Sequence, residues 1–154
     1  MPLSHLEHIL VQTTDMEATK RWYVEVLGMR AGYTPDFKFP VCWLYIGERD
    51  VIHITEGGAN VSANRKTYVG QQSTAESGTG VIDHIAFRAS GLGETLARLR
   101  RLKIDFRERQ VSDQGLYQVF FFDPNGIKIE LNFPAAEASA LGLTPGVKAS
   151  ELAG

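Results

Sequence analysis

Leu6-Glu7-His8-Ile9-Leu10-Val11 and Ile82-Asp83-His84-Ile85-Ala86-Phe87 are one pattern written twice. Each reads apolar, acidic, histidine, then apolar, and each has the length and composition of a short strand. His84 stands 76 residues after His8, so the 154-residue chain carries an internal repeat of about half its length.

The text that follows each strand repeats as well. Thr14-Asp15-Met16-Glu17 is a capping-box signature for a helix. Helical spacing puts Ala18, Trp22 and Val26 on one face, and Gly28 closes the helix. In the second copy Ser90 is the expected cap, and Leu92, Leu96, Leu99 and Leu102 recur at helical spacing. Each half then has a long apolar strand, a turn and a further strand. These are 41–46, the turn Gly47-Glu48-Arg49-Asp50 and 51–55 in the first half. In the second they are 118–122, the turn Asp123-Pro124-Asn125-Gly126 and 127–133. Ile52-His53-Ile54 aligns with Ile129-Glu130-Leu131 at an offset of 77. The periodicity therefore predicts a duplicated mixed α/β unit in one domain, 1–154. The Gly/Ser/Thr/Asn-rich stretch 57–80 reads as a linker, and 135–154 as an Ala/Gly-rich tail that frays or docks.

Bulk composition closes off several functions. A net charge of -2 argues against a nucleic-acid partner, which needs a basic surface. No apolar run approaches the roughly 20 residues of a bilayer span, so no membrane partner is expected. The single cysteine, Cys42, allows no internal disulfide; among Val41, Trp43 and Leu44 it reads as a buried, inert thiol. Residues 1–8 show no basic segment leading into an apolar core, and a reducing, cytoplasmic setting is expected.

The chain has four histidines, and three of them fall on the repeat. His8 is equivalent to His84, and His53 to Glu130. Taken singly, a histidine in an apolar strand is usually a satisfied core residue. The coincidence across equivalent positions turns the reading towards a site. If the two halves close about a pseudo-twofold axis, the four side chains converge on one point. Imidazole nitrogens and a carboxylate there would suit Zn, Fe(II), Mn, Co or Ni. His5 has no counterpart and reads as surface.

These residues carry a resemblance. His8 in its strand, Arg21-Trp22-Tyr23-Val24-Glu25-Val26-Leu27-Gly28-Met29, His84 in its strand, and Asp123-Pro124-Asn125-Gly126 leading to Glu130 resemble the vicinal oxygen chelate superfamily. That superfamily contains glyoxalase I, bleomycin- and fosfomycin-resistance proteins, methylmalonyl-CoA epimerase and extradiol dioxygenases. The resemblance runs from about Leu6 to Phe133. It implies an α+β fold of two tandem βαβββ modules, 4–56 and 81–134, forming a partly open mixed sheet or barrel around a metal. It also implies His8, His84 and Glu130 as metal ligands. His53 falls where glyoxalase I-like members have a glutamate ligand, so it reads as a fourth ligand or as an acid/base group. Glu56 faces the wrong way by alternation to replace that glutamate.

A 2-His-1-carboxylate set with open positions is the arrangement of non-haem Fe(II) oxygenases. The expected function is therefore a metal-dependent, extradiol-type dioxygenase acting on a small catecholic or vicinal-oxygen substrate, with Fe(II) as the metal. The alternatives are a glyoxalase I-like lyase, isomerase or epimerase, or a non-catalytic, bleomycin-resistance-type binding protein. Trp43, Tyr45, Phe120, Phe121 and Phe122 suit a flat apolar substrate or an ordinary core. Tyr117, after the Gln114-Gly115 turn, is a candidate hydroxyl donor at the site. Arg88 and Lys128 either steer an anionic substrate or simply solvate strand ends. The resemblance also implies a homodimer.

Overall fold

The computed structural model describes residues 2–59, 61–70, 73–111 and 115–143. Within them the elements run β1 (Ile9–Thr13), α1 (Met16–Leu27), β2 (Arg30–Ala31), β3 (Val41–Ile46), β4 (Arg49–Glu56) and α2 (Ala63–Val69). They continue with β5 (His84–Arg88), α3 (Leu92–Arg101), β6 (Arg107–Val111), β7 (Leu116–Phe122), β8 (Lys128–Pro134) and α4 (Ala135–Ala140). The chain divides into two compact units, with the boundary between Gly78 and Thr79. Each contains one βαβββ module, and the class is α+β as expected. Each unit has its own four-stranded mixed sheet, ordered β1-β4-β3-β2 and β5-β8-β7-β6. In each the first strand runs parallel to the last, and the other pairings are antiparallel. Each sheet is open within its own unit, and neither closes into a barrel by itself. No helix of the described residues is long and apolar enough to cross a membrane.

In the first unit, one sheet face packs against α1. Val11, Leu44, Ile52 and Ile54 on that face are buried, as are Thr19, Tyr23 and Val26 of the helix. The buried stripe thus centres on Tyr23 rather than on Trp22 and Ala18, one residue away from the expected face. The helix start is also shifted by one residue. Asp15, not Thr14, is the cap, and its carboxylate accepts the Ala18 N–H at 3.0 Å. Gly28 ends the helix at φ 70°, a left-handed conformation that glycine adopts without a Cβ penalty.

The stretch 57–80 is more than a linker: it holds α2. Ser62 caps this helix, and the Glu56 carboxylate accepts the Ser62 N–H at 2.7 Å. Arg65 of α2 is buried, and its Nη2 donates to Gln12 Oε1 at 3.2 Å. Gln12 Nε2 in turn donates to the carbonyls of Ser73 and Ala75, both at 2.8 Å. These bonds tie the segment back onto β1.

In the second unit, Leu92, Leu96 and Leu99 of α3 are buried, each contributing about 1.5–3 kcal/mol of apolar burial. Leu102 ends the helix and is exposed. The expected Ser90 cap is absent. Gly91 takes the cap position at φ 79°, and Glu137 of α4 supplies the missing acceptor. Its Oε1 receives the N–H groups of Gly91 at 2.9 Å and Leu92 at 3.0 Å. The first part of the expected tail is thus a helix docked on α3, β7 and β8; residues 144–154 lie outside the described residues. The Asp123-Pro124-Asn125-Gly126 turn forms as read, with Asp123 Oδ1 accepting the N–H groups of Asn125 and Ile127 at 2.8 Å.

Candidate functional site

Alternation along the first sheet places Leu10, Gln12, Val41, Trp43, His53 and Thr55 on the face away from α1. His53 is 8% exposed and is held on both sides of its ring. The His8 ring stacks on it at 3.8 Å and 16°, and the Trp43 indole stacks at 4.3 Å and 6°. Trp43 is the cross-strand partner of His53, and His8 immediately precedes β1.

A β-bulge supplies the third contact. Leu44 pairs with Ile52 but Tyr45 pairs with Asp50, so Val51 is an extra residue. Three residues apart on a regular strand, Asp50 and His53 would face opposite sides. The bulge brings Asp50 onto the face of His53, where its Oδ2 lies 2.6 Å from His53 Nε2.

This bond holds the Asp50 carboxyl below the usual carboxylate range. Burial pushes the His53 imidazole below its ordinary value, outweighing the opposing bond from Asp50, and neighbouring His8 pushes the same way. The pair is therefore an ionised Asp50 and a neutral His53. A carboxylate can only accept, so His53 Nε2 carries the proton and Nδ1 presents its lone pair.

His53, Asp50, His8, Glu7 and Thr55 form the polar part of a cavity of about 260 Å³ whose other walls include Phe37, Phe39, Trp43, Tyr68 and Val69. The buried Trp43 Nε1 has no hydrogen-bond partner among the described residues.

The second sheet is built alike. Its helix-covered face carries buried Tyr117, Val119, Phe121, Ile129, Leu131 and Phe133. Its other face carries His84, Gln118, Phe120, Lys128, Glu130 and Asn132, by register. Glu130 is 7% exposed, and its Oε2 lies 2.9 Å from His84 Nε2. Its Oε1 accepts from Gln118 Nε2 and from Asn132 Nδ2, both at 2.8 Å. Gln118 also donates to Asn132 Oδ1 at 2.8 Å and accepts from Arg109 Nε at 2.7 Å. His84 Nδ1 is 2.8 Å from Asp83 Oδ1, which Lys128 Nζ approaches at 2.6 Å. These two neighbours hold the Asp83 carboxyl below its usual range, Lys128 most strongly.

Of the residues anticipated from sequence, the first unit brings His8 and His53 together and the second brings His84 and Glu130 together. Tyr117 must be corrected. It is 1% exposed and lies on the helix-covered face, opposite to Gln118 and Glu130. Its hydroxyl donates to Glu108 Oε1 at 3.0 Å, and burial with that carboxylate pushes its pKa up to about 12. Lys128 is engaged by Asp83, and Arg88 is exposed at the end of β5. Among the aromatics, Trp43 lines the cavity and Phe120 shares the face of Glu130. Phe121 is core, Phe122 is exposed, and the Tyr45 hydroxyl donates to the Tyr33 carbonyl. Cys42 is half-buried, and burial raises its thiol pKa. His5 is exposed.

Sequence reading missed Asp50, Gln118, Asn132, Phe37, Phe39 and Tyr68. Strand alternation could have found Gln118 and Asn132. Nothing local announces the bulge that redirects Asp50. The Glu7-His8 and Asp83-His84 dipeptides did carry a signal. In both, the acidic residue sits at His Nδ1, at 3.0 and 2.8 Å, which leaves Nε2 as the nitrogen for another partner; in His84 it faces Glu130 Oε2 at 2.9 Å.

Such an oriented imidazole is how proteins present histidine to a metal. A buried carboxylate with one oxygen turned to an imidazole nitrogen is equally suited to it. The donor chemistry of His8 in the first unit, and of His84 and Glu130 in the second, suits a divalent ion, although no group of three or more His, Cys, Asp or Glu donors is gathered among the described residues.

The family model described as Glyoxalase/Bleomycin resistance protein/Dioxygenase superfamily matches residues 5–131. No curated protein matches the chain by sequence. Several solved structures share the fold. A lactoylglutathione lyase from Agrobacterium tumefaciens aligns with TM-score 0.62 and 18% identity, covering 86% of this chain and 96% of that one. The fosfomycin resistance protein FosX from Listeria monocytogenes aligns with TM-score 0.61 and 19% identity, covering 88% and 97%. TnmS3, an antibiotic binding protein from a Streptomyces species, aligns with TM-score 0.59 and 20% identity, covering 87% and 98%.

Proposed function

We propose a function from one premise: the chain belongs to the glyoxalase/bleomycin resistance protein/dioxygenase superfamily. In this reading it is a metal-dependent enzyme of the extradiol dioxygenase type, acting on a small catecholic substrate. His8, His84 and Glu130 hold the metal, Fe(II), and His53 is the proton acceptor. When bound, the ion would supply a Lewis acid for two vicinal oxygens and electron exchange with dioxygen.

The residues supply the rest. The observation that carries the reading is His53, clamped by Asp50 and sandwiched between His8 and Trp43 in an aromatic-walled cavity. Its Nδ1 lone pair is available to take a hydroxyl proton from the substrate. The ionised Asp50 then stabilises the imidazolium and holds the ring in place. Phe37, Phe39 and Tyr68 exclude water and favour a flat, apolar ring. A second copy of the chain is the expected partner, and sedimentation measures it directly.

The test is anaerobic loading with Fe(II), followed by oxygen-uptake measurement over a panel of catechols. Uptake with ring-cleaved product supports the reading. A loaded protein that consumes no oxygen across the panel overturns it in favour of a glyoxalase-type isomerase, for which the same His53 would take a carbon-bound proton. Protein that holds no metal overturns both and leaves a binding protein.

A further inference from the structure

We infer that Gln118 and Asn132 are positioning residues that restrict Glu130 to ligation through one oxygen, Oε2. The inference rests on the reading of Glu130 as a metal ligand. Both amides lie on the site face of the second sheet as a cross-strand pair, two residues from Glu130 and its own partner Phe120. Both donate to the same atom, Glu130 Oε1, at 2.8 Å. Oε2 is left facing His84 Nε2 at 2.9 Å.

The direction of these bonds follows from one donor. Arg109 can only donate, and its Nε points at Gln118 Oε1 at 2.7 Å, so that end of the amide is the carbonyl. Gln118 Nε2 must then face Glu130, and its second hydrogen goes to Asn132 Oδ1. With its carbonyl occupied, Asn132 turns its own N–H group to Glu130. Arg109 thus sets the polarity of both amides. Gln118 and Glu130 are both buried, so Oε1 cannot exchange these donors for water at little cost. Binding an ion through both oxygens would require Oε1 to abandon two charge-assisted bonds.

The first unit has no such cradle. Val41 and Thr55 occupy the positions equivalent to Gln118 and Asn132, and the Thr55 hydroxyl donates to the Pro40 carbonyl. The cradle therefore belongs to the carboxylate, not to the fold.

The test is titration of the full chain with Co(II) alone, reading affinity and visible absorption, whose intensity falls as coordination number rises. Gln118→Met keeps the side-chain length and removes both N–H groups. It should weaken Co(II) binding by about 10-fold to 100-fold and lower the visible intensity, because Oε1, then held by Asn132 alone, can join the coordination shell. Arg109→Met, at an exposed position, should shift both readouts in the same direction and by less, and it carries the test if Gln118→Met does not fold. Natural chain that binds Co(II), with variants unchanged in affinity and spectrum, overturns this inference alone. A natural chain that binds no Co(II) overturns the metal reading and this inference with it.

Discussion

At one position of the repeat the two units carry different chemistry on the same backbone. His53 and Glu130 are equivalent, 77 residues apart, and each sits across from an aromatic ring, Trp43 or Phe120. Each is nearly buried, His53 on the sheet face away from α1 and Glu130 on the face opposite Tyr117, Val119 and Phe121. Their surroundings differ in the way their protons demand. Glu130 only accepts, and Gln118 and Asn132 supply N–H donors to it. Neutral His53 needs an acceptor for its one N–H, and a bulged Asp50 provides it. The comparison shows that a duplicated frame keeps its register while the partners change with the group they serve.

The largest expected effect comes from the proposed ligands. Glu130→Ala and His84→Ala should each abolish metal retention, measured by elemental analysis of protein purified without chelators, while His5→Ala retains it. Equal retention in all three would break the assignment of the second unit.

Next is the clamp of the first unit. Asp50→Asn should keep the metal yet lower turnover by about 100-fold, since the imidazole loses the acceptor that sets its tautomer. Unchanged turnover would remove His53 from the chemistry.

Exchanging the two groups sharpens the comparison further. His53→Glu places a carboxylate where Val41 has no donor and the Thr55 hydroxyl is already given to the Pro40 carbonyl. The loss should be about 1–3 kcal/mol by chemical denaturation, and part should return when Val41→Gln and Thr55→Asn are added. A His53→Glu protein as stable as the natural chain would show that the amide cradle is not needed.

The smallest effect lies off the site. The Tyr117 pKa is pushed up to about 12 from an unfolded value near 10, so its contribution is complete below pH 10 and is lost as pH rises towards 12. Tyr117→Phe should cost about 1 kcal/mol at neutral pH and flatten the fall in stability between pH 10 and 12. Melting curves across that range measure it.

Much of the frame was legible in sequence because strand and helix periodicities are local. The repeated acidic-His strand, the Asp123 turn and the alternation around His53 and Glu130 each rest on neighbours within a few residues. Errors arose where a distant segment competed with a local signal. Ser90 lost the cap of α3 to Glu137, which approaches from 47 residues downstream. Tyr117 looked like a site hydroxyl from its place after a turn, but strand parity assigned it to the core and paired it with Glu108. The stretch 57–80 looked like a linker by composition, yet buried Arg65 and Gln12 tie it to β1.

The sequence by itself determined the duplication, the α+β class, the family resemblance and the residue types placed at the repeated His and Glu positions. Those follow from periodicity and from the identity of side chains, which need no knowledge of neighbours across the sheet. Only the tertiary structure decided how each group is held: Asp50 turned to His53 by one extra residue in β4, and Glu130 held at one oxygen by two amides. Hydrogen-bond direction depends on which atoms meet in space, and a one-residue change of register reverses the face on which they meet.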